Sequence, residues 1–165
     1  VISLLACLLV TGAMTVDQQP ALDALVEISM PDQHGDRHRV SDEEGGVVVV
    51  IVVTAKRLRN VRPWERHLRE RFDDIRTIRI ADLPATSKAT LESVSARLRE
   101  RVPEGVSVLI DTDRLWASRL ELDTGRPNLL IIDRDGRLVT SVRGLYTPEL
   151  GETVIGELER LLSAP

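Results

Sequence analysis

The run from Val47 to Val53, VVVVIVV, sets seven β-branched residues side by side with nothing polar among them. Such side chains are stiff at χ1 and pack well on a pleated surface. A half-exposed strand alternates apolar and polar residues, whereas a strand without alternation buries both faces. Val47–Val53 is therefore expected to be the central, parallel strand of an α/β sheet. The remaining chain must then supply a covering layer for each face.

The flanking segments can supply those layers. Val16 to Ala21 reads as a polar connector, and Leu25-Val26-Glu27-Ile28 as a short strand. The turn Pro31-Asp32-Gln33-His34-Gly35-Asp36 leads to a return arm over Arg37 to Val40, which together make an N-terminal hairpin. Beyond the central strand, a helix from about Pro63 to Arg71 carries Trp64, Leu68 and Phe72 on one face. Ile75, Ile78 and Ile80 mark a second strand, ended by Asp82 and Pro84. Ser87 is placed to cap a helix running to about Arg101, with Leu91, Val94 and Leu98 as its buried stripe. An inserted strand, Val106 to Ile110, and a short helix with Leu115, Trp116 and Leu120 come next. Leu129–Ile132 and Leu138–Val142 flank the turn Asp133-Arg134-Asp135-Gly136, whose Asp-Gly pair suits a hairpin. Thr147 then caps a last helix with Pro148 at its first position.

Composition bounds the rest. With 165 residues, 42% hydrophobic and 29% charged, the chain suits one folded domain with one core. Aromatic residues are only 2%, so Leu, Val and Ile must build that core around Trp64, Phe72, Trp116 and Tyr146. A formal charge of −4 gives no electrostatic reason to expect nucleic acid as a partner.

Val1 to Ala13 stands apart, with no charged residue. It is shorter than the about 20 apolar residues that span a bilayer, and it reads as a signal-peptide core with Thr11-Gly12-Ala13 at the cleavage site. No basic segment precedes it and the chain begins at Val1, which points to a non-standard start or an upstream piece; a buried N-terminal element is the alternative. Leu4-Leu5-Ala6-Cys7 is similar to a bacterial lipobox, although Leu8-Leu9-Val10 prolongs the apolar run. Residues 1–13 are thus expected as an export segment, 14–24 as a connector and 25–165 as the domain, placed in the periplasm or otherwise outside the cytoplasm. Membrane attachment enters only through lipidation of Cys7.

The element order, βαβ with an inserted strand and helix and then ββα, resembles the thioredoxin-like fold, in its extracytoplasmic thioredoxin- and peroxiredoxin-like (redoxin) branch. Met30-Pro31-Asp32-Gln33-His34-Gly35 is similar to that family's opening turn. Gly125-Arg126-Pro127-Asn128, followed by Leu129–Ile132 and Asp133-Arg134-Asp135-Gly136, is similar to its proline, strand and Asp-x-Asp-Gly segment. The resemblance spans about Leu25 to Leu162, and it implies that Pro127 is the family's cis-proline. It also implies two cysteines where the central strand meets the first helix. That junction here reads Thr54-Ala55-Lys56-Arg57-Leu58-Arg59-Asn60-Val61-Arg62-Pro63-Trp64, and the chain's one cysteine is Cys7. Dithiol exchange and peroxidase chemistry both need a thiolate. Neither is available to residues 14–165, and no cofactor is expected.

What the junction holds instead is positive charge. Arg57, Arg59, Arg62 and Trp64 lie in this junction, and the resemblance places Arg126 and Pro127 beside the same helix end; together they would form a vestigial active-site face fit for a carboxylate, a phosphate or an acidic peptide. The competing account pairs these arginines with Glu65, Glu70 and Asp73 on a solvated surface, and gives Trp64 to the core. His34 and His38, four apart across a turn, are weak candidates for a metal-assisted enzyme. Glu65 and His67, two apart on a helix, do not face each other, and Asp133 and Asp135 fit a turn better than a calcium loop. The expected function is a non-catalytic module of the bacterial envelope that binds a peptide, a protein or an anionic ligand at this face. A structural accessory domain is the remaining alternative.

Overall fold

The computed structural model describes residues 19–42, 46–84 and 89–163. The export segment with Cys7, residues 14–18 of the connector, and Ser87 lie outside the described residues.

Val48–Thr54 forms β3, in the middle of a five-stranded sheet. Its neighbours are β4 (Arg76–Asp82), parallel to it, and β6 (Asn128–Ile132), antiparallel. β5 (Val108–Asp111) extends the sheet beyond β4, and β7 (Leu138–Arg143) beyond β6. The order is therefore β5-β4-β3-β6-β7. Six of the seven β3 residues, Val48 to Val53, are buried, as the unbroken apolar run demands.

Alternation along β3 divides the core. Val48, Val50 and Val52 pack with Ile80, Leu130, Trp116 and Leu120 under two short helices, α1 (Gln19–Val26) and α4 (Leu115–Arg119). Val49, Ile51 and Val53 face α2 (Arg62–Arg71) and α5 (Pro148–Ser163) through Trp64, Leu68, Val154 and Leu158. Ala81, Val108 and Ile110 complete that side against α3 (Leu91–Arg101). Thr147 accepts the Leu150 amide at the start of α5, as its capping role requires.

The structure corrects four local expectations. Helix α1 occupies part of the expected connector and strand: Leu22 and Leu25, one helical turn apart, are both fully buried. Its Gln19 side chain accepts from the Leu138 amide and donates to Gly136 O, which fastens the helix to the β6–β7 hairpin. The N-terminal hairpin is correspondingly short, pairing β1 (Met30–Pro31) with β2 (Arg37–His38). Thr90 caps α3, accepting the Ser93 amide, so the helix starts one turn later than a Ser87 cap would place it. Leu91 then lies at the first position and is exposed, while Val94 and Leu98 are buried.

The two Asp-containing turns are built alike. Asp133 Oδ1 accepts from the amides of Asp135 and Arg137, with Gly136 at a φ of 76°. Asp32 Oδ1 accepts from the amides of His34 and Asp36, with Gly35 at a φ of 94°. Each aspartate holds the turn and each glycine takes the left-handed position that L side chains resist.

Candidate functional site

Strands β3, β4 and β5 run parallel, and at their carboxyl ends stand Thr54, Asp82 and Asp111, register partners across the three strands. In open α/β sheets this end is where loops gather and ligands are received. The chain leaves β3 through a 3₁₀ segment, Ala55–Val61, that feeds directly into α2. The Thr54 amide donates to Thr124 O at 2.9 Å. The loop before β6 is thereby fixed against the β3 junction, and the two stretches carrying the predicted arginines meet there.

Lys56, Arg57, Arg59 and Arg126 are exposed, and their side chains make no hydrogen bond or ion pair among the described residues. Arg62 behaves differently, its Nη2 donating to Arg101 O at the end of α3, 3.3 Å away. The pairing with Glu65 does not occur either, since Glu65 is buried and accepts from Arg79 Nε. The helix-terminus part of the anion site needs revision. The Arg62 amide is already bonded to Arg59 O, so this backbone donor at the start of α2 is taken up by the 3₁₀ segment. The positive character of this face comes from side chains.

Two predicted residues have other roles. Trp64 is fully buried, donating from Nε1 to Gly144 O at 3.2 Å with the Tyr146 ring edge-on at 5.4 Å. It belongs to the core and offers no wall to a groove, as the spacing to Leu68 allowed. No peptide bond among the described residues is cis, so Pro127 is trans. The Arg126 carbonyl preceding it accepts from Asn128 Nδ2, and the Pro127 carbonyl accepts from the Gly144 amide. These bonds hold the loop in its trans course.

Residues absent from the sequence expectation complete the site. Asp82 is fully buried; it accepts from the Thr124 hydroxyl and faces Arg114 Nε at 3.3 Å. Asp111, also buried, accepts from the amides of Leu115 at 3.0 Å and Trp116 at 2.9 Å, starting α4. Burial pushes the Asp111 carboxyl above its ordinary value, and the neighbouring Asp82 adds to the rise. The available signal was an aspartate ending each of two apolar runs, Ile80-Ala81-Asp82 and Leu109-Ile110-Asp111.

The histidines separate. His38 Nε2 lies 3.4 Å from Asp32 Oδ2, while His34 is exposed. Among the described residues no three acidic, histidine or cysteine side chains converge as metal ligands would. His67 packs at a tilt against the Tyr146 ring and Glu65 turns to Arg79, so those two residues share no site.

No protein-family model matches the sequence, and comparison with curated proteins gives no match. Solved structures do match. The pneumococcal exposed lipoprotein thioredoxin Etrx1 of Streptococcus pneumoniae superposes with a TM-score of 0.65 at 16% identity, over 81% of this chain and 98% of its own. A secreted Mycobacterium tuberculosis disulfide oxidoreductase homologous to DsbE gives 0.60 at 14% identity, over 84% and 99%. A SCO1/SenC family lipoprotein of Bacillus anthracis gives 0.59 at 14% identity, over 82% and 93%. Identities this low speak for architecture rather than chemistry. The mixed sheet, the helices on both faces and these superpositions together give the chain a thioredoxin-like fold.

Proposed function

We propose that this chain is a thiol-free thioredoxin-like domain of the bacterial cell envelope that binds a protein or extended peptide bearing acidic side chains. The observation carrying this reading is the set of cations Lys56, Arg57, Arg59 and Arg126, which have no partner among the described residues. They sit on two segments tied together at Thr54 and Thr124, at the carboxyl end of the central strand. Exposed positive charge on adjoining segments attracts an acidic ligand, which neutralises it. The described residues contain no cysteine, so the face works by contact and not by thiol exchange. The apolar leader and the exported, lipoprotein character of the structural relatives support the location.

The test is a fluorescence-anisotropy titration of the full chain with a labelled hexa-glutamate peptide and a hexa-glutamine control. Binding of the acidic peptide alone, weakened by salt and lost in the Arg57→Ala/Arg126→Ala double variant, is the expected result. Equal binding of both peptides, or an unaffected double variant, would overturn the proposal and leave a structural accessory role.

A further inference from the structure

β4 outruns its neighbour. It begins at Arg76, but its pairing with β5 starts only at Arg79 and Val108. Thr77 and Ile78 therefore have no strand on that side, and beneath the first residue of β5 a cleft of about 410 Å³ opens. This volume falls within the about 300–1,000 Å³ of small-molecule sites. The cleft lies toward the amino end of β4, away from the cationic face at Thr54.

Its charge is unbalanced. Arg39, Arg69 and Arg79 line it against a single carboxylate, that of Glu65. Arg39 and Arg69 are exposed, and their side chains have no ionic or hydrogen-bond partner among the described residues. His38, also on the wall, lies toward Asp32. The side chain of Arg79 is only 16% exposed and that of Glu65 only 8%. Their bond uses Nε of the guanidinium, one of its five donors. The four donors on the two Nη nitrogens make no hydrogen bond to any described residue.

A buried ion pair adds little stability that apolar side chains of similar volume would not supply. What this pair does is immobilise a guanidinium while leaving its terminal fork unused. Such a fork matches the two oxygens of a carboxylate. The remaining wall includes Ile75, Ile78, Val106 and Leu109, which suits an aliphatic body.

We propose that this cleft binds a small organic carboxylate with an aliphatic body, its oxygens on the Nη nitrogens of Arg79 and its hydrocarbon against Ile78 and Val106. Glu65 is the positioning residue for Arg79, and Arg39 and Arg69 draw the anion to the mouth. The site is separate from the acidic-partner face, and either can fail without the other.

The experiment is calorimetric titration of the full chain with 4-methylpentanoate, with 4-methylpentanamide and inorganic phosphate as comparisons. The carboxylate is expected to bind, and the amide and phosphate to bind at least about tenfold more weakly, since a charged hydrogen-bond pair and the apolar contact are each lost in turn. Arg79→Lys keeps the charge facing Glu65 but removes the fork, and should weaken binding by about tenfold or more. Arg69→Gln, at an exposed position, should weaken it several-fold and flatten its salt dependence. Amide-proton shifts of Thr77, Ile78 and Val106 on adding 4-methylpentanoate locate the site in the parent protein, should Arg79→Lys fail to fold. Arg57→Ala/Arg126→Ala should bind it as the parent does. Equal affinity for the amide or for phosphate, undiminished affinity in Arg79→Lys, or shifts elsewhere in the chain would each overturn the assignment.

Discussion

Arg114 Nε stands 3.3 Å from the carboxylate of Asp82, a side chain with no exposed surface, and Arg114 holds this position from a left-handed backbone at a φ of 57°. A non-glycine residue in that region costs about 1–2 kcal/mol. Removing one partner of a fully buried pair costs about 3–5 kcal/mol; the Arg114 side chain is 38% exposed, which lowers the figure. Arg114→Ala should thus destabilise the fold by about 2 kcal/mol. Arg114→Gly, losing the same ion pair but none of the backbone fit, should recover about 1 kcal/mol of that. Urea unfolding of both variants checks the order; a glycine variant no more stable than the alanine variant would show that the backbone stores no strain.

Helices α2 and α5 approach closely at Gly151. A Cβ there would stand 2.8 Å from Tyr146 Cε2 and 2.9 Å from His67 Nε2, closer than side-chain contacts allow. Gly151→Ala gains helix propensity of about 1 kcal/mol but overpacks the interface by about 1–3 kcal/mol, so a net loss of stability is expected. In a His67→Ala background one obstacle is gone, and the same substitution should cost less. Thermal unfolding of the four-protein cycle reads this coupling directly, and an identical penalty in both backgrounds would place the strain on Tyr146 alone.

How much of this was readable beforehand depended on whether the signal was periodic. The β3 run, the helix stripe of α2, the Thr147 cap of α5 and the Asp135-Gly136 turn are local patterns with single structural solutions, and each appears where its residues predict. Helix α1 escaped because Gln19–Val26 is short and its two buried leucines also fit the edge of a strand. The site was less legible, because charge carries no direction in a sequence. The Thr54–Thr124 bond brings together the two segments that carry Arg57, Arg59 and Arg126, while Arg62, on the first of them, turns to the end of α3. Asp82 and Asp111 matter through a register between strands 29 residues apart in number, which no local pattern encodes. The cleft beside Arg79 is likewise a consequence of where β5 begins.

Trp64 offers a way to separate packing from recognition. Its Nε1 donates to Gly144 O inside the core, and its ring meets Tyr146 edge-on. Trp64→Phe leaves the Gly144 carbonyl without that donor and a void beside it, and should cost about 1–3 kcal/mol in unfolding free energy. Affinity for the hexa-glutamate peptide should be unchanged, because no part of the indole reaches the surface. A variant that keeps its stability but loses the peptide would return Trp64 to the binding face.

Asp32 sets an acid limit on stability. Burial alone would raise its carboxyl, but bonds from the His34 amide, the Ser107 hydroxyl and the Asp36 amide, with the charge of His38, outweigh it and hold the group below its ordinary value. The folded state then binds this proton less readily than the unfolded chain does. Asp32's contribution is consequently complete above the ordinary aspartate value of about 3.9 and is lost as pH falls through the lower folded value. Asp32→Asn keeps the shape, has one acceptor oxygen in place of two, and does not titrate. The difference in unfolding free energy between parent and variant should shrink as the pH falls from about 5 toward about 3. Urea titrations across that range measure it, and a difference that widened on acidification would mean that the turn amides and Ser107 do not outweigh the cost of burying the charge.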